Sequence, residues 1–200
     1  MNSHTNKRLL FLVLTAFVLG TTGCIGVKRE GVPASWPKPS SANNLPQFAG
    51  TFSNRSVDRK TGRPSDQSAQ LFDFLTGRGH GHGKQGSAVD IQPSGDGEVL
   101  QVRLLDQQQS EIDSVLLRQG KDFQFSKRFI TLHGPFSGTR AEAGNLGASV
   151  KAQDSRLYLA TPTDIIGRRT ETSVGLFFYF LPMFGTSKAW MWWPRIETHE

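Results

Sequence analysis

The segment Gly81-His-Gly-Lys-Gln-Gly86 is the first place where residue types and spacing could support chemistry. It matches the pattern G-x-G-x-x-G, which cradles a dinucleotide phosphate when it connects a strand to the start of a helix. Here a helical pattern precedes the segment and a strand pattern follows it, so no helix N-terminus faces the loop. Gln85 also stands where a P-loop has Ser or Thr. We therefore expect a structural loop at this point and no cofactor.

Two histidines alternate within this loop and are weak candidates for metal ligands. They are His80 and His82, with His133 available as a third ligand. Structural zinc usually takes four ligands, often including thiolates, and Cys24 is the only cysteine of the chain. The simpler interpretation is an exposed loop whose histidines bind metal only adventitiously. We expect no metal site.

Residues for nucleophilic or acid–base catalysis are not arranged in any local motif. No G-x-S-x-G sequence occurs, and Ser137 has the neighbours of a turn residue. Glu111 and Asp113 are two positions apart in a strand pattern, which places them on one solvated face. A pair of facing carboxylates, as in glycosidases, could be assembled only by the fold. The sequence names no catalytic residue, and we expect a protein that is not an enzyme.

The C-terminal region is unusually apolar. Residues 174–184 form a nearly continuous apolar run, and three tryptophans follow at positions 190, 192 and 193. The run is too short to cross a bilayer as a helix, which takes about 20 residues. It predicts either strands buried on both faces or a surface that contacts a ligand or a membrane, for which Trp and Tyr are well suited. In the second case the contact residues are Phe177, Tyr179, Trp190 and Trp192.

The N-terminus has the three zones of a secretory signal. Lys7 and Arg8 precede an apolar run over residues 9–19, and small residues follow it. A positive start, a short apolar core and small residues before a cleavage point indicate export. We expect residues 1–23 to be removed.

The end of this signal, Leu19-Gly-Thr-Thr-Gly-Cys24, resembles the lipobox of bacterial lipoproteins. The resemblance covers only the first 24 residues. It implies that Cys24 carries diacylglycerol on its sulfur and a further acyl chain, such as palmitate, on the amine freed by cleavage. It also implies a lipid-anchored protein of the bacterial cell envelope. Ile25 stands where an inner-membrane retention Asp would be, which favours the outer membrane, facing the periplasm.

The mature sequence predicts a tether followed by one domain. Residues 24–47 contain four prolines among small and polar residues and predict a lipidated N-terminus with a flexible tether. Trp36 is its one large apolar side chain and is expected to dock on the domain or the membrane interface. Residues 48–200 suit a single β-rich domain. Without the signal the chain has 21 basic and 17 acidic side chains, a mild excess that gives no reason to expect a nucleic-acid partner.

Short period-two segments separated by turn residues predict about eight to ten antiparallel strands in a meander, forming a small barrel or a sandwich. A helix is expected near 66–76, with Gly77 at its C-terminal end. Residues 134–147 are expected to form a loop, and a hairpin is expected to turn at 153–155. Phe48-Ala-Gly-Thr-Phe52 loosely resembles the first strand of lipocalin-type barrels.

Together these patterns favour a membrane-anchored, non-catalytic envelope protein with a partner-binding or structural role. One alternative is a lipocalin-like carrier of a lipid or small apolar ligand, with the C-terminal aromatic strands lining a cavity. Another is an envelope hydrolase whose site is assembled only by the fold. The three alternatives differ in what the structure must contain: an exposed binding surface, an enclosed cavity or a polar cleft.

Overall fold

The computed structural model describes residues 31–58, 61–63, 69–78, 82–134, 138–144, 147–160, 163–177 and 181–196. The predicted lipid acceptor Cys24, the metal candidate His80 and the contact candidate Tyr179 lie outside these residues. For His82 and Phe177 only the backbone is described.

The first half of the described chain contains five strands and one α-helix. The strands are β1 (Pro39–Ser40), β2 (Gly50–Ser53), β3 (Ala88–Pro93), β4 (Val99–Leu105) and β5 (Glu111–Arg118). The helix α1 spans Leu71–Thr76, and 3₁₀ turns are formed by Leu45–Phe48 and His82–Gln85.

Six further strands make up the second half, and the last three are long. They are β6 (Phe123–Ser126), β7 (Phe129–Leu132), β8 (Gly138–Gly144), β9 (Gly147–Ala160), β10 (Asp164–Phe177) and β11 (Leu181–Trp193).

All strand pairs are antiparallel and they form two sheets. The small sheet has the order β2-β3-β4-β5, and the large sheet has the order β11-β10-β9-β7-β6. Because β10 pairs with β9 along its whole length, β1, β7 and β8 lie one after another along the other edge of β9. In the part of the chain that is described neither sheet closes on itself, so the mainly β prediction is confirmed in its sandwich form rather than as a barrel.

The hydrophobic core lies between the two sheets and beneath α1. In β4 alternate residues point inward, as the period-two pattern predicts, because successive side chains of a strand face opposite ways. The large sheet and the helix supply the other side of the core. Fully or almost fully buried side chains include Phe52, Val89, Ile91, Leu100, Val102, Leu104, Phe72, Phe74, Phe123, Ile130, Leu157, Ile165 and Trp193.

Packed residues begin N-terminal to the predicted domain start at residue 48. Trp36, Ala42 and Leu45 are buried, and β1 adds two residues to the edge of β9. The C-terminal part of the predicted tether therefore covers the end of the large sheet.

Helix α1 is shorter than the predicted 66–76, because its first described neighbours are extended. Gln70 has φ −92° and ψ 133° and forms an isolated β-bridge with Arg55. The predicted end is confirmed: Gly77 adopts a left-handed conformation, φ 67°, and its N–H donates to the carbonyl of Asp73 at 3.0 Å. Glycine suits this position because it has no Cβ to clash there.

The predicted hairpin at 153–155 and the predicted loop over 134–147 are wrong. Strand β9 runs through the turn-like residues Gln153, Asp154 and Ser155 without a bend, since each has a partner on β10. Half of the predicted loop is strand β8, which pairs with β9. Backbone pairing on both sides of β9 overrides the local preference of Asp and Ser for turns.

Candidate functional site

Strands β9, β10 and β11 are 14, 14 and 13 residues long, and only one end of each lies over the core. Their buried side chains fall within residues 155–160, 165–167 and 191–193, whereas 148–154, 168–176 and 184–190 contain none among the described positions. The uncovered parts of the three strands, together with β8, form a four-stranded extension of the large sheet. We define this extension as residues 138–144, 147–153, 171–177 and 181–187.

The two faces of the extension differ in polarity. The side facing away from the small sheet, here the outer face, is built from cross-strand rows. Ala141 pairs with Val150, Val150 with Val174, and Val174 with Phe184, so one row crosses all four strands.

Two neighbouring rows continue the outer face in opposite directions along the strands. Towards the free end of the extension, Ala148 pairs with Ala143 and with Leu176. Towards the core, Thr172 pairs with Ala152 and with Thr186. Cross-strand neighbours share a face, so the outer face consists of small, apolar and hydroxyl side chains.

Apolar side chains on this face are uncovered. The exposed fraction is 45% for Val150, 46% for Val174, 45% for Leu176 and 64% for Phe184. These residues, together with Ala141, Ala143 and Ala148, line an open hollow of about 450 Å³ on the sheet surface. A contiguous apolar patch on a folded domain marks an interaction site more often than a scattered apolar residue does.

The inner face of the extension is polar. Its described side chains are Ser149, Lys151, Gln153, Glu171, Ser173 and Ser187. Where the inner face meets the core, the guanidinium carbon of Arg169 lies 5.5 Å from the ring centroid of Phe74. Burial lowers the pKa of Arg169 and Glu171 raises it, and an arginine so placed stays cationic.

Beyond the threonine row, the outer face carries a cluster of stacked aromatic and basic side chains. The ring centroids of Phe129 and Tyr158 are 5.3 Å apart, and those of Tyr158 and Trp190 are 5.9 Å apart. The guanidinium carbon of Arg156 lies 4.7 Å from the Phe129 centroid, and that of Arg168 lies 5.7 Å from the Trp190 centroid. Such cation–π contacts fix the arginines against the sheet.

The charges of this region are mainly positive. Asp154 Oδ2 forms ion pairs with Arg156, whose Nε lies 2.8 Å away, and with Arg168, whose Nη2 lies 3.6 Å away. Lys188 is in the same cross-strand row as Asp154, because both Lys188 and Asp154 pair with Thr170. This part of the outer face therefore carries three cationic side chains and the carboxylate of Asp154, which is paired with the two arginines.

Of the four predicted contact residues, the structure places two side chains on this same face. Trp190 belongs to the aromatic cluster, and Trp192 lies one row further along. Trp192 Nε1 donates to Asp164 Oδ2 at 2.8 Å, and its ring centroid is 5.8 Å from that of Trp36. Trp193 points the other way, into the core. The sequence also allowed strands that are buried on both faces. This does not apply to Trp190 and Trp192, because both side chains are only half-buried on the outer face.

The glycine-rich segment is held by two buried polar side chains. Asn54 Nδ2 donates to the carbonyls of Gly83 at 2.7 Å and Gly86 at 2.9 Å, and Asn54 Oδ1 accepts from the N–H of Phe72 at 3.1 Å. The carboxylate of Asp73 accepts from the N–H of Gly83 at 3.0 Å. These bonds tie the segment to the start of α1.

Packing accounts for Gly83 and Gly86 of the G-x-G-x-x-G match, whereas Gly81 lies outside the described residues. A Cβ on Gly86 would lie 2.1 Å from Leu104 Cδ1, and one on Gly83 would lie 2.6 Å from Gln70 Oε1. The segment follows α1 and precedes β3, which is the element order expected from the sequence. Its backbone atoms are engaged by Asn54 and Asp73 rather than arranged around a phosphate at a helix N-terminus.

Other polar groups serve as cross-links in the described part of the chain. Arg103 Nη2 and Nε donate to Asp90 Oδ2 at 2.6 and 3.0 Å, which joins β4 to β3. Asp113 forms an ion pair with Arg78, and Glu111 is exposed. No group of three or more metal-ligating side chains occurs among the described residues, and Ser137 lies outside them.

The part of the outer face that sequence reasoning missed is the apolar surface contributed by β8 and β9. The alternating residues Ala141 and Ala143, and Ala148, Val150 and Ala152, carry the signal that could have revealed it. The pattern is weak because alanine is only slightly apolar, and the glycines around it favoured a loop.

Within the described residues no helix has the length and apolar content needed to cross a membrane. Comparison with protein-family models, with curated proteins and with solved structures finds no significant match.

Proposed function

We propose that the protein is a lipid-anchored, non-catalytic component of the bacterial cell envelope that acts through a binding surface on its large sheet. Export and attachment follow from the signal-like residues 1–23 and from Cys24 in its lipobox-like context. The outer membrane, with the domain on the periplasmic side, is the location that Ile25 favours. The binding role follows from the outer face.

The uncovered apolar rows of the extension are the observation that carries this proposal. Four apolar side chains on three strands are nearly half or more exposed, although the same chain buries its core apolar residues almost completely. Leaving this area in water is costly at about 25 cal/mol per Å² of apolar surface. We therefore infer that a binding partner covers this apolar area.

A carrier role is less well supported. A lipocalin-like carrier holds its ligand between strands, and here that region is occupied by Phe48, Phe52, Phe72, Phe123 and Trp193, all buried. The apolar hollow described above lies on the outside of the sheet instead. An envelope hydrolase has no support from an arrangement of catalytic side chains among the described residues.

The anchor is tested by replacing its acceptor. The variant Cys24→Ala should lose incorporation of labelled palmitate, and should be released from membranes by an alkaline carbonate wash that leaves the wild-type protein attached. Ser35→Ala, an exposed tether position, is the matched control and should behave like the wild type. A wild-type protein that incorporates no palmitate would refute the anchor.

The binding surface is tested separately with photo-crosslinking residues introduced at Phe184 on the outer face and at Ser187 on the inner face. We expect reproducible crosslinks in membranes from position 184 and few from position 187. Equal yields from both positions would contradict a role for the outer face.

A further inference from the structure

We propose that the outer face of the extension binds the lipid bilayer itself at interfacial depth. Val150, Val174, Leu176 and Phe184 enter the acyl region, and the aromatic and basic cluster lies at the headgroups. This inference deepens the proposed function and rests on it, because the anchored protein is already held at a membrane. It identifies the bilayer as the partner that covers the outer face.

In the extension the apolar side chains are more exposed to water than the polar ones, which is the reverse of the usual arrangement. A sheet that has one covered and one wet face normally keeps its polar residues on the more accessible side. Here Val174 and Leu176 are more exposed than Ser173 and Glu171, which are half-buried. One side of the extension is apolar and uncovered, and the opposite side is polar. This arrangement fits a sheet that contacts lipid on one side only.

Side-chain chemistry changes in order along the strands. Successive rows on one face are about 6.6 Å apart, twice the rise per residue. The two apolar rows, at Leu176 and Val174, together match the ~5–10 Å depth to which interfacial elements enter a bilayer. The threonine row follows, then the row with Lys188, and then the row with Arg168 and Trp190. This order matches the passage from acyl chains to headgroups in a sheet that is tilted with its outer face towards the bilayer, so that the free end of the extension lies deepest.

Charge and aromatic character agree with this orientation. In the aromatic and basic cluster Arg156, Arg168 and Lys188 outnumber Asp154, which suits the phosphates of lipid headgroups. Trp and Tyr side chains are enriched at the membrane interface because they combine an apolar ring with a polar tip. Trp190 therefore stands where an interfacial side chain is expected.

The edges of the extension limit its depth. Among the described residues β8 pairs with β9 alone, and the part of β11 within the extension, residues 181–187, pairs with β10 alone, so the extension has two edges without a neighbouring strand. Unpaired backbone groups at such edges are not tolerated in the hydrocarbon interior. At interfacial depth they can bond to water and headgroups, which is why we infer a shallow position for the face.

The anchor can reach the same membrane. Trp36 contacts Trp192, and Phe184 is eight residues from Trp192 along β11, or ~26 Å away at the usual rise. The nine residue steps from Cys24 to Pro33 can span up to ~30 Å. Lipid on Cys24 and the apolar rows can therefore occupy one bilayer at the same time.

A cysteine scan of the full-length, processed protein tests the inference. Acylated Cys24 has no free thiol, so one introduced cysteine takes an environment-sensitive fluorophore alone. The outer-face variants are Val174→Cys and Phe184→Cys, and the matched inner-face controls are Ser173→Cys and Ser187→Cys. Each is reconstituted in vesicles of phosphatidylcholine and phosphatidylglycerol and quenched either by brominated acyl chains or by aqueous iodide. Circular dichroism checks that each variant is folded.

We expect brominated lipid to quench the outer-face labels several-fold more than the inner-face labels, and iodide to show the opposite pattern. Iodide quenching of all four labels without lipid quenching would overturn the inference. Outer-face labels shielded from both quenchers would also overturn it and indicate a second copy as the occupant. Lipid quenching of all four labels would refute contact on one face.

The anchor and the face can fail independently. If Cys24 itself takes up label, the proposed lipidation has failed. The same scan in a Cys24→Ser background, with the protein added to preformed vesicles, still decides whether the outer face contacts lipid.

Discussion

Asn54 shows how a single buried side chain determines the character of the glycine-rich segment. Its amide makes three hydrogen bonds to backbone groups of that segment and of α1. Because Asn54 is fully buried, those backbone groups have no access to replacement water. The loop that resembles a nucleotide-binding motif in the sequence is thereby a fixed part of the core.

Replacing Asn54 should therefore be strongly destabilising. In Asn54→Ala the carbonyl of Gly86 and the N–H of Phe72 lose their hydrogen bonds to the amide, and the carbonyl of Gly83 keeps only the N–H of Gly86, so we expect the free energy of unfolding to fall by about 3 kcal/mol. Asn44→Ala is the control, because Asn44 is exposed and makes no side-chain cap hydrogen bond. Urea unfolding of both variants measures the effect. A loss below about 0.5 kcal/mol for Asn54→Ala would contradict the assigned role.

Gly86 tests the packing explanation of the glycine motif. In Gly86→Ala the new methyl group overlaps Leu104, a buried side chain that has little room to move, so we expect a loss of about 1–3 kcal/mol in stability. In Gly95→Ala the methyl group meets nothing within 4 Å, and stability should hardly change. Thermal unfolding compares the two. Equal behaviour of the variants would show that the contact at Gly86 relaxes freely.

At the scale of elements, strands and turns whose signals are local could be predicted from the sequence. Leu100, Val102 and Leu104 alternate clearly, and Gly77 ends α1 as expected. Strand β9 could not be predicted, because its continuity through Asp154 depends on pairing with β10, β7 and β8. Long-range pairing of this kind outweighs turn propensity and leaves no local trace.

The candidate site also contains some residues that could be predicted from the sequence and others that could not. Trp190 and Trp192 could be identified from their residue type, and their period-two spacing predicts the shared face. Ala141 and Val150 could not, because only the register of β8 against β9 brings them into one row with Val174. The extension as a unit is visible only once that register is known.

The outer face should be separable from folding. Phe184 is 64% exposed, so Phe184→Ser should change the free energy of unfolding by no more than about 0.5 kcal/mol. Leu157→Ala, which empties a fully buried position on the same sheet, should cost about 2–5 kcal/mol. Thermal unfolding in the absence of lipid measures both. A large loss for Phe184→Ser would mean that the side chain is covered in the free protein.

At the scale of the whole molecule, the attachment point and the apolar rows lie towards opposite ends of one face. Trp36, where the tether meets the domain, contacts Trp192, and the exposed rows lie further along the same strands. An anchored chain of this shape has a high local concentration of membrane around its outer face. Each apolar row then needs to contribute only weakly for the face to remain in contact.

Weak contact of this kind should depend on lipid charge and salt. We expect Lys188→Gln to weaken docking of the outer face on vesicles containing phosphatidylglycerol by about 1 kcal/mol, or roughly fivefold. Lys151→Gln, on the inner face of β9, is the control and should have little effect. Lipid quenching of a label at Val174→Cys in the anchored protein measures the docked fraction. The difference should vanish near 1 M salt, where the Debye length falls to about 3 Å from about 10 Å at 0.1 M. An equal response of the two lysine variants would show that the charges of the outer face do not position it on the membrane.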